Sequence, residues 1–216
     1  QVMNSIAEDA AAGGHLECLK FLLEGTRRFK ITESICARAA RSGNLKCLKY
    51  VHKAGGKLNV TAAIEAAISN NVNCLKYIFE KKGYRNGKIL RTAARSGSFE
   101  CVEYLVDNGF NVDKKVCCYA ARSGSLKCLK YVYEIYGHRI DGICYDAARS
   151  GNVKCLKYLH KRGESLSNDI CQEAYKRGHI EILKYAHKNG QELPDNDEFI
   201  GSRRLCTEYI LRNTIY

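Results

Sequence analysis

The chain has 216 residues, 45% of them hydrophobic and 27% charged, with a formal net charge of +12. That is enough apolar material for one large domain or two small ones, and no run approaches the eighteen apolar residues of a transmembrane helix. The opening QVMNSIAEDAAAGG lacks a charged n-region and an apolar core, so no signal peptide is expected; Ile6 and Ala7 already follow a helical pattern, an abrupt start that points to a processed chain.

Three stretches are nearly the same: residues 39–50 read AARSGNLKCLKY, 120–131 AARSGSLKCLKY and 147–158 AARSGNVKCLKY. The cysteine of this phrase recurs at Cys18, Cys47, Cys74, Cys101, Cys128 and Cys155, with Ile182 in its place in EILKY. The first step is 29 residues and the next five are 27 each. A degenerate copy, LCTEYIL, surrounds Cys206. A fixed period of this length marks a repeat array, and an atypical last unit suits a capping repeat. The expected organisation is one domain over 1–216, with about seven repeats over roughly 5–193 and a C-terminal cap over 194–216.

The second unit shows what each contains. Ile35, Cys36, Ala39 and Ala40 lie on one helical face. Gly43 then stops the helix, as a residue able to turn left-handed does; Gly14, Gly97, Gly124, Gly151 and Gly178 match it, and Asn70 replaces it in the third unit. Leu45, Cys47, Leu48, Val51 and His52 form a second helical stripe, closed by another glycine. Between units comes an apolar residue and then a capping residue: Leu58-Asn59, Val112-Asp113, Ile140-Asp141, Leu166-Ser167. Each unit is predicted to be helix, tight turn, helix, short loop. Leucine-rich repeats have a similar period but an LxxLxLxxN strand pattern that is absent here, and tetratricopeptide repeats are longer.

The pattern AAxxGxLxxLKYLxxxG resembles the ankyrin repeat over about residues 5–193. It departs in two ways: Ser34, Ile35, Cys36 and Ala37 stand where the Thr-Pro-Leu-His opening would be, and each unit is about six residues short of the usual 33. The short, CLKY-bearing variant is similar to ankyrin-like arrays of giant DNA viruses and protists. The resemblance implies an all-α, ankyrin-like helix-turn-helix repeat solenoid with shortened inter-repeat loops. It also implies a binding module, often one aimed at host proteins, whose first helices line a concave groove.

Positions that repeat are scaffold; those that do not carry the information. The outward face of the first helices reads Ser34, Ala37, Arg38, Arg41, then Thr61, Ile64, Glu65, Ile68, then Lys88, Arg91, Thr92, Arg95. It continues Lys115, Cys118, Tyr119, Arg122, then Gly142, Tyr145, Asp146, Arg149, then Asp169, Gln172, Glu173, Lys176. The first three positions vary, while the fourth is basic from the second unit on, except at Ile68. A basic ladder of Arg41, Arg95, Arg122, Arg149 and Lys176 is therefore expected in the groove, with Arg91, Tyr119 and Tyr145 beside it and an apolar patch at Ile64 and Ile68. Aromatic and arginine residues are common interface anchors, and the expected ligand is an acidic or mixed protein segment, host-derived on the resemblance. Reversing Arg122 and Arg149 together with Ile68→Asp is expected to abolish binding and spare the fold.

Lys20, Lys49, Lys76, Lys130, Lys157 and Lys184 form a second ladder, on the second helices, broken by Glu103. Lysines there chiefly confer solubility, although a basic balance leaves nucleic acid or another polyanion as the alternative ligand. No nucleic-acid motif accompanies them; the phenylalanines sit at core positions. The twelve cysteines include no CxxC pair. Six are the recurring cysteines of the second-helix stripe, and Cys36, Cys117, Cys144 and Cys171 lie on the first-helix stripe, so they act as small hydrophobes rather than disulfides or zinc ligands. Free buried thiols imply a reducing compartment, cytoplasm or nucleus, including the host cytoplasm for a secreted effector. His52, His160 and His187 share a site with apolar residues of other units, which marks packing. Carboxylates are scattered through the loops, and no phosphate loop, HExxH or GxSxG occurs. The reading is a monomeric, non-enzymatic binding module without cofactor, metal or membrane insertion.

Overall fold

The computed structural model describes residues 2–25, 31–194 and 204–213. The described residues form fifteen helices and no strand, an all-α repeat solenoid. None of these helices is long and apolar enough to cross a membrane. The chain divides into two compact units, Gln1–Asn111 and Val112–Tyr216.

The first unit holds four helix pairs: α1 (Val2–Ala12) with α2 (Leu16–Gly25), α3 (Glu33–Ser42) with α4 (Leu45–Lys53), α5 (Val60–Ile68) with α6 (Val72–Lys82), and α7 (Gly87–Ser96) with α8 (Phe99–Asp107). The second holds α9 (Lys114–Ser123) with α10 (Leu126–Tyr136), α11 (Ile143–Ser150) with α12 (Val153–Lys161), α13 (Asp169–Arg177) with α14 (Ile180–Lys188), and then α15 (Arg204–Asn213). First helices stack on first helices and second on second. The first helices approach much more closely, because the paired alanines, fully buried from Ala39 and Ala40 to Ala147 and Ala148, leave no side chain to hold them apart. The second helices meet through bulkier CLKY side chains.

The turn inside each repeat is left-handed where the sequence requires it. Gly43 has φ 77°, and a Cβ there would collide with the Asn71 side chain of the next repeat. Asn70 adopts φ 57°, the only non-glycine residue with positive φ among those described. The residue after the turn does two jobs. Asn44 Oδ1 accepts from the amides of Lys46 and Cys47, capping α4, while its Nδ2 donates to the Gly14 carbonyl one repeat back at 2.8 Å. Asn152 does the same, accepting from the Lys154 amide and donating to the Gly124 carbonyl at 2.7 Å. Asn71 donates to the Arg41 carbonyl at 2.8 Å.

Of the predicted inter-repeat caps, Asn59 and Asp113 accept from the amides of Ala62 and Val116, each at 2.9 Å. Asp141 and Ser167 differ. A left-handed Gly142, φ 81°, extends the turn by one residue and becomes the N-cap of α11, and Asn168 stands ahead of α13. One loop carboxylate is not at the surface at all: Glu164 is buried, accepting from the Tyr133 hydroxyl at 2.5 Å and the Ile140 amide at 2.9 Å.

Three expectations about packing are corrected. Cys18 is exposed, unlike the other recurring cysteines, and Phe21 is 79% exposed rather than core; among the described residues, α3 and α4 pack against the other side of α1 and α2. The shared histidine site is an inter-repeat hydrogen bond: His52 Nδ1 meets Tyr77 Oη at 2.7 Å, His160 meets Tyr185 at 2.8 Å and His187 meets Tyr209 at 3.0 Å. The second-helix lysines are not merely solvated. Lys49, Lys76, Lys130 and Lys157 each lie 5.4–5.6 Å over the tyrosine ring of the next repeat, a contact favourable by about 0.5–1 kcal/mol at an exposed site.

Candidate functional site

In the first unit the outward faces of α1, α3 and α5 enclose a groove of about 790 Å³, lined by Glu33, Ser34, Arg38, Arg41, Thr61 and Glu65 among others. Ala37, expected to point outward, is 6% exposed and forms part of its floor. The walls carry both signs. Glu8 accepts from Ser34 Oγ and from Arg38 Nε, the latter at 3.1 Å, and Arg41 Nη1 lies 3.4 Å from Glu65 Oε2. Of the sequence-selected residues in this unit, Arg41 lines the groove. Ile64 and Ile68 are half-buried on α5, Arg91 is half-buried on α7, and Arg95 is exposed at the end of α7.

The second unit brings Tyr145 and Arg149 onto one carboxylate and sets Arg122 on another. Arg122 holds Asp146 through Nε at 3.1 Å and Nη2 at 2.5 Å. The Tyr145 hydroxyl donates to Glu173 Oε2 at 3.1 Å, while Arg149 and Arg177 approach Glu173 Oε1 at 3.1 and 2.6 Å. The hydrogen bond to Asp146 raises the Arg122 guanidinium above its ordinary value. For Glu173, burial acts to raise the carboxyl, but Arg177, Tyr145 and Arg149 together outweigh it and hold it below the ordinary range. Tyr119 is half-buried on α9, and Lys176 is exposed on α13.

The predicted basic ladder is therefore largely neutralised. Arg41, Arg122 and Arg149 each pair with the acidic residue 24 positions on, at the third face position of the next repeat: Glu65, Asp146 and Glu173. Those acids were legible on the same face, and their spacing is the signal: one 27-residue repeat less one helical turn brings them level with the arginine. Arg95 and Lys176 carry no ion pair among the described residues. The arrangement offers hydrogen-bonding charges fixed in place above an alanine floor. It is a surface that holds both signs, rather than a field of free positive charge.

A family model described as ankyrin repeats, in three copies, matches residues 7–89, 35–116 and 66–143, which together run over more than half of the chain. The chain belongs to the ankyrin-repeat family. Ankyrin repeats are in general protein–protein interaction modules and are typically non-enzymatic. The helix pairs α11/α12 and α13/α14 carry the same ankyrin architecture beyond the matched residues. No curated protein matches the chain.

Proposed function

We propose that this ankyrin array binds a protein ligand along the first-helix faces of its repeats and does no chemistry. The observation that carries the reading is the groove of about 790 Å³ on α1, α3 and α5, walled by Arg38, Arg41, Glu33 and Glu65. Such a groove fits an extended segment carrying both charge signs, with a hydrophobic side chain for the half-buried Ile64 and Ile68. In the second unit, Tyr119 and Lys176 are the corresponding contacts. A host-targeting adaptor or effector role, as a monomer in a reducing cytoplasm or nucleus, follows from the same reading. For the reducing compartment alone the support is the thiols: Cys36, Cys74, Cys144, Cys155 and Cys171 are free and buried, and burial raises them to about 11 or 12, so they stay protonated.

The ion pairs change how the reading is tested. Reversing Arg122 or Arg149 would face a new carboxylate against Asp146, 8% exposed, or Glu173, and damage the stack itself. Thr61→Arg with Ile68→Asp, and Lys176→Glu separately, alter the first-helix faces without breaking a pair. Affinity capture from cell lysate should lose the protein ligand with these variants and keep it with Lys130→Glu/Lys157→Glu. The opposite result would move the site to the second helices. Polyanion binding is the second reading, favoured by one observation: Lys130, Lys154, Lys157 and Lys161 are exposed on α10 and α12 and carry no ion pair among the described residues. A steep loss of DNA or RNA affinity with salt, removed by Lys130→Glu/Lys157→Glu, would select it.

A further inference from the structure

Two hollows of about 290 Å³ lie at the C-terminal ends of second helices, one in each unit, and the same register positions build both. Phe79, Glu80, Gly83 and Arg85 line the first; Tyr133, Glu134, Gly137 and Arg139, two repeats on, line the second. In both, the tyrosine of the following second helix stands edge-on at 6.0 Å, Tyr104 against Phe79 and Tyr158 against Tyr133. In both, a lysine lies over that tyrosine, Lys76 at 5.5 Å and Lys130 at 5.6 Å.

One position differs, and it decides what is open. The residue that follows α12 is Arg162. Its guanidinium lies 5.6 Å from the centre of the Tyr158 ring, donates from Nη2 to Glu134 at 3.2 Å, and donates from Nε to the Tyr158 hydroxyl at 3.4 Å. Arg162 rather than Tyr158 lines that hollow. The residue that follows α8 is Asn108, whose side chain turns back and donates to the Tyr104 carbonyl at 2.7 Å. Tyr104 itself therefore lines the first hollow, and Glu80 beside it has no hydrogen bond or ion pair among the described residues.

We propose that the Glu80–Tyr104 hollow binds an arginine side chain of a protein partner, in the arrangement that the chain's own Arg162 makes with Glu134 and Tyr158. A planar guanidinium can lie on the ring while its N–H groups reach the carboxylate, which a compact ammonium cannot do at once. Arg85 does not bar a second cation: its Nη1 is engaged by the Asn108 carbonyl at 2.9 Å, and Arg139, at the same register, lines a hollow together with Arg162. Lys81 and Lys82 follow Glu80 on α6 and are exposed to solvent, where salt screens their repulsion. The site lies on second helices and stands independently of the first-helix groove.

N-acetyl-arginine methylamide titrated into the isotope-labelled full chain should shift the Gly83 and Tyr104 amide resonances saturably. The neutral citrulline analogue should bind about tenfold more weakly or worse, the factor that one charge-assisted hydrogen bond supplies, and Glu80→Gln should weaken the arginine probe to the same degree. Asn108→Arg should abolish the response and keep the parent's circular dichroism, because it installs the Arg162 arrangement in the first unit. Arg162→Asn should add a second saturable response at Gly137 and Tyr158. The absence of a saturable shift at Gly83 and Tyr104 overturns the proposal. So does equal affinity for the arginine probe and its citrulline or lysine analogue, or undiminished binding in the Glu80→Gln or Asn108→Arg chain.

Discussion

Asn152→Ala removes the second-helix cap and the stitch to the previous repeat in one substitution. In the native chain Oδ1 accepts from the Lys154 amide at 3.0 Å and Nδ2 donates to the Gly124 carbonyl at 2.7 Å. Loss of an N-cap side chain costs about 1 kcal/mol, and loss of the carbonyl bond about 1 kcal/mol more; the carbonyl keeps a weak thiol contact from Cys155 at 3.4 Å, which limits its penalty. The sum, about 2 kcal/mol, corresponds to a fall in unfolding temperature of roughly 4–8 °C for a chain of this length. Asn152→Ser separates the two parts. Serine at this register does one job or the other: Ser125 accepts from the Cys128 amide, whereas Ser98 makes no cap bond and donates to the Ile68 carbonyl. Asn152→Ser should therefore lose about half as much. Denaturant unfolding with hydrogen exchange at the Lys154 amide reads both terms. A loss below about 0.5 kcal/mol for alanine, or serine as costly as alanine, would refute the two-job account.

Gly56→Ala should destabilise by about 2–3 kcal/mol, because a Cβ there lies 2.8 Å from the Val51 carbonyl and 2.5 Å from Cys36 Sγ; a neutral result in thermal unfolding would show that the loop relaxes freely. Glu173 titrates below its ordinary 4.5, so the stability it contributes is present above that value and is lost as pH falls through its lower folded value; Glu173→Gln should flatten that part of the acid unfolding curve, and an unchanged curve would disprove the coupling. Under native conditions at pH 8, Cys18 should be alkylated well ahead of Cys36, Cys74 and Cys144, whose burial raises them to about 11, 11 and 12; equal rates by mass spectrometry would contradict the packing.

Repetition made the fold legible, because a residue that recurs every 27 positions must meet the same surroundings each time. The alanine pairs, the left-handed turn and even the exception at Asn70 follow from that rule and from backbone sterics. The rule fails at an end, where surroundings are not repeated. Cys18 and Phe21 read as core by analogy with Cys47 and Tyr50, yet they lie on the side of the first repeat that α3 and α4 do not cover. It also passes over residues whose two polar ends serve different repeats. The asparagine after the turn carries no signal within one repeat, since one helix at a time accounts for only half of its hydrogen bonds.

The charge on the first-helix faces escapes a single repeat for a related reason. Within one repeat, Arg41, Arg122 and Arg149 are cations on an exposed helix face, and a column of them reads as positive potential. Stacking rotates the question, because the nearest partner of such an arginine is neither three nor four residues away along its helix but 24 residues on, one turn back on the neighbouring helix. At that distance the chain carries Glu65, Asp146 and Glu173, and the arginines bind them. Arg95 carries no ion pair among the described residues. The charge available to a ligand is therefore set by differences between repeats taken in pairs. A cation that no carboxylate holds keeps its charge for solvent or a ligand, and by that criterion Arg95 differs from the arginines that form the more regular column.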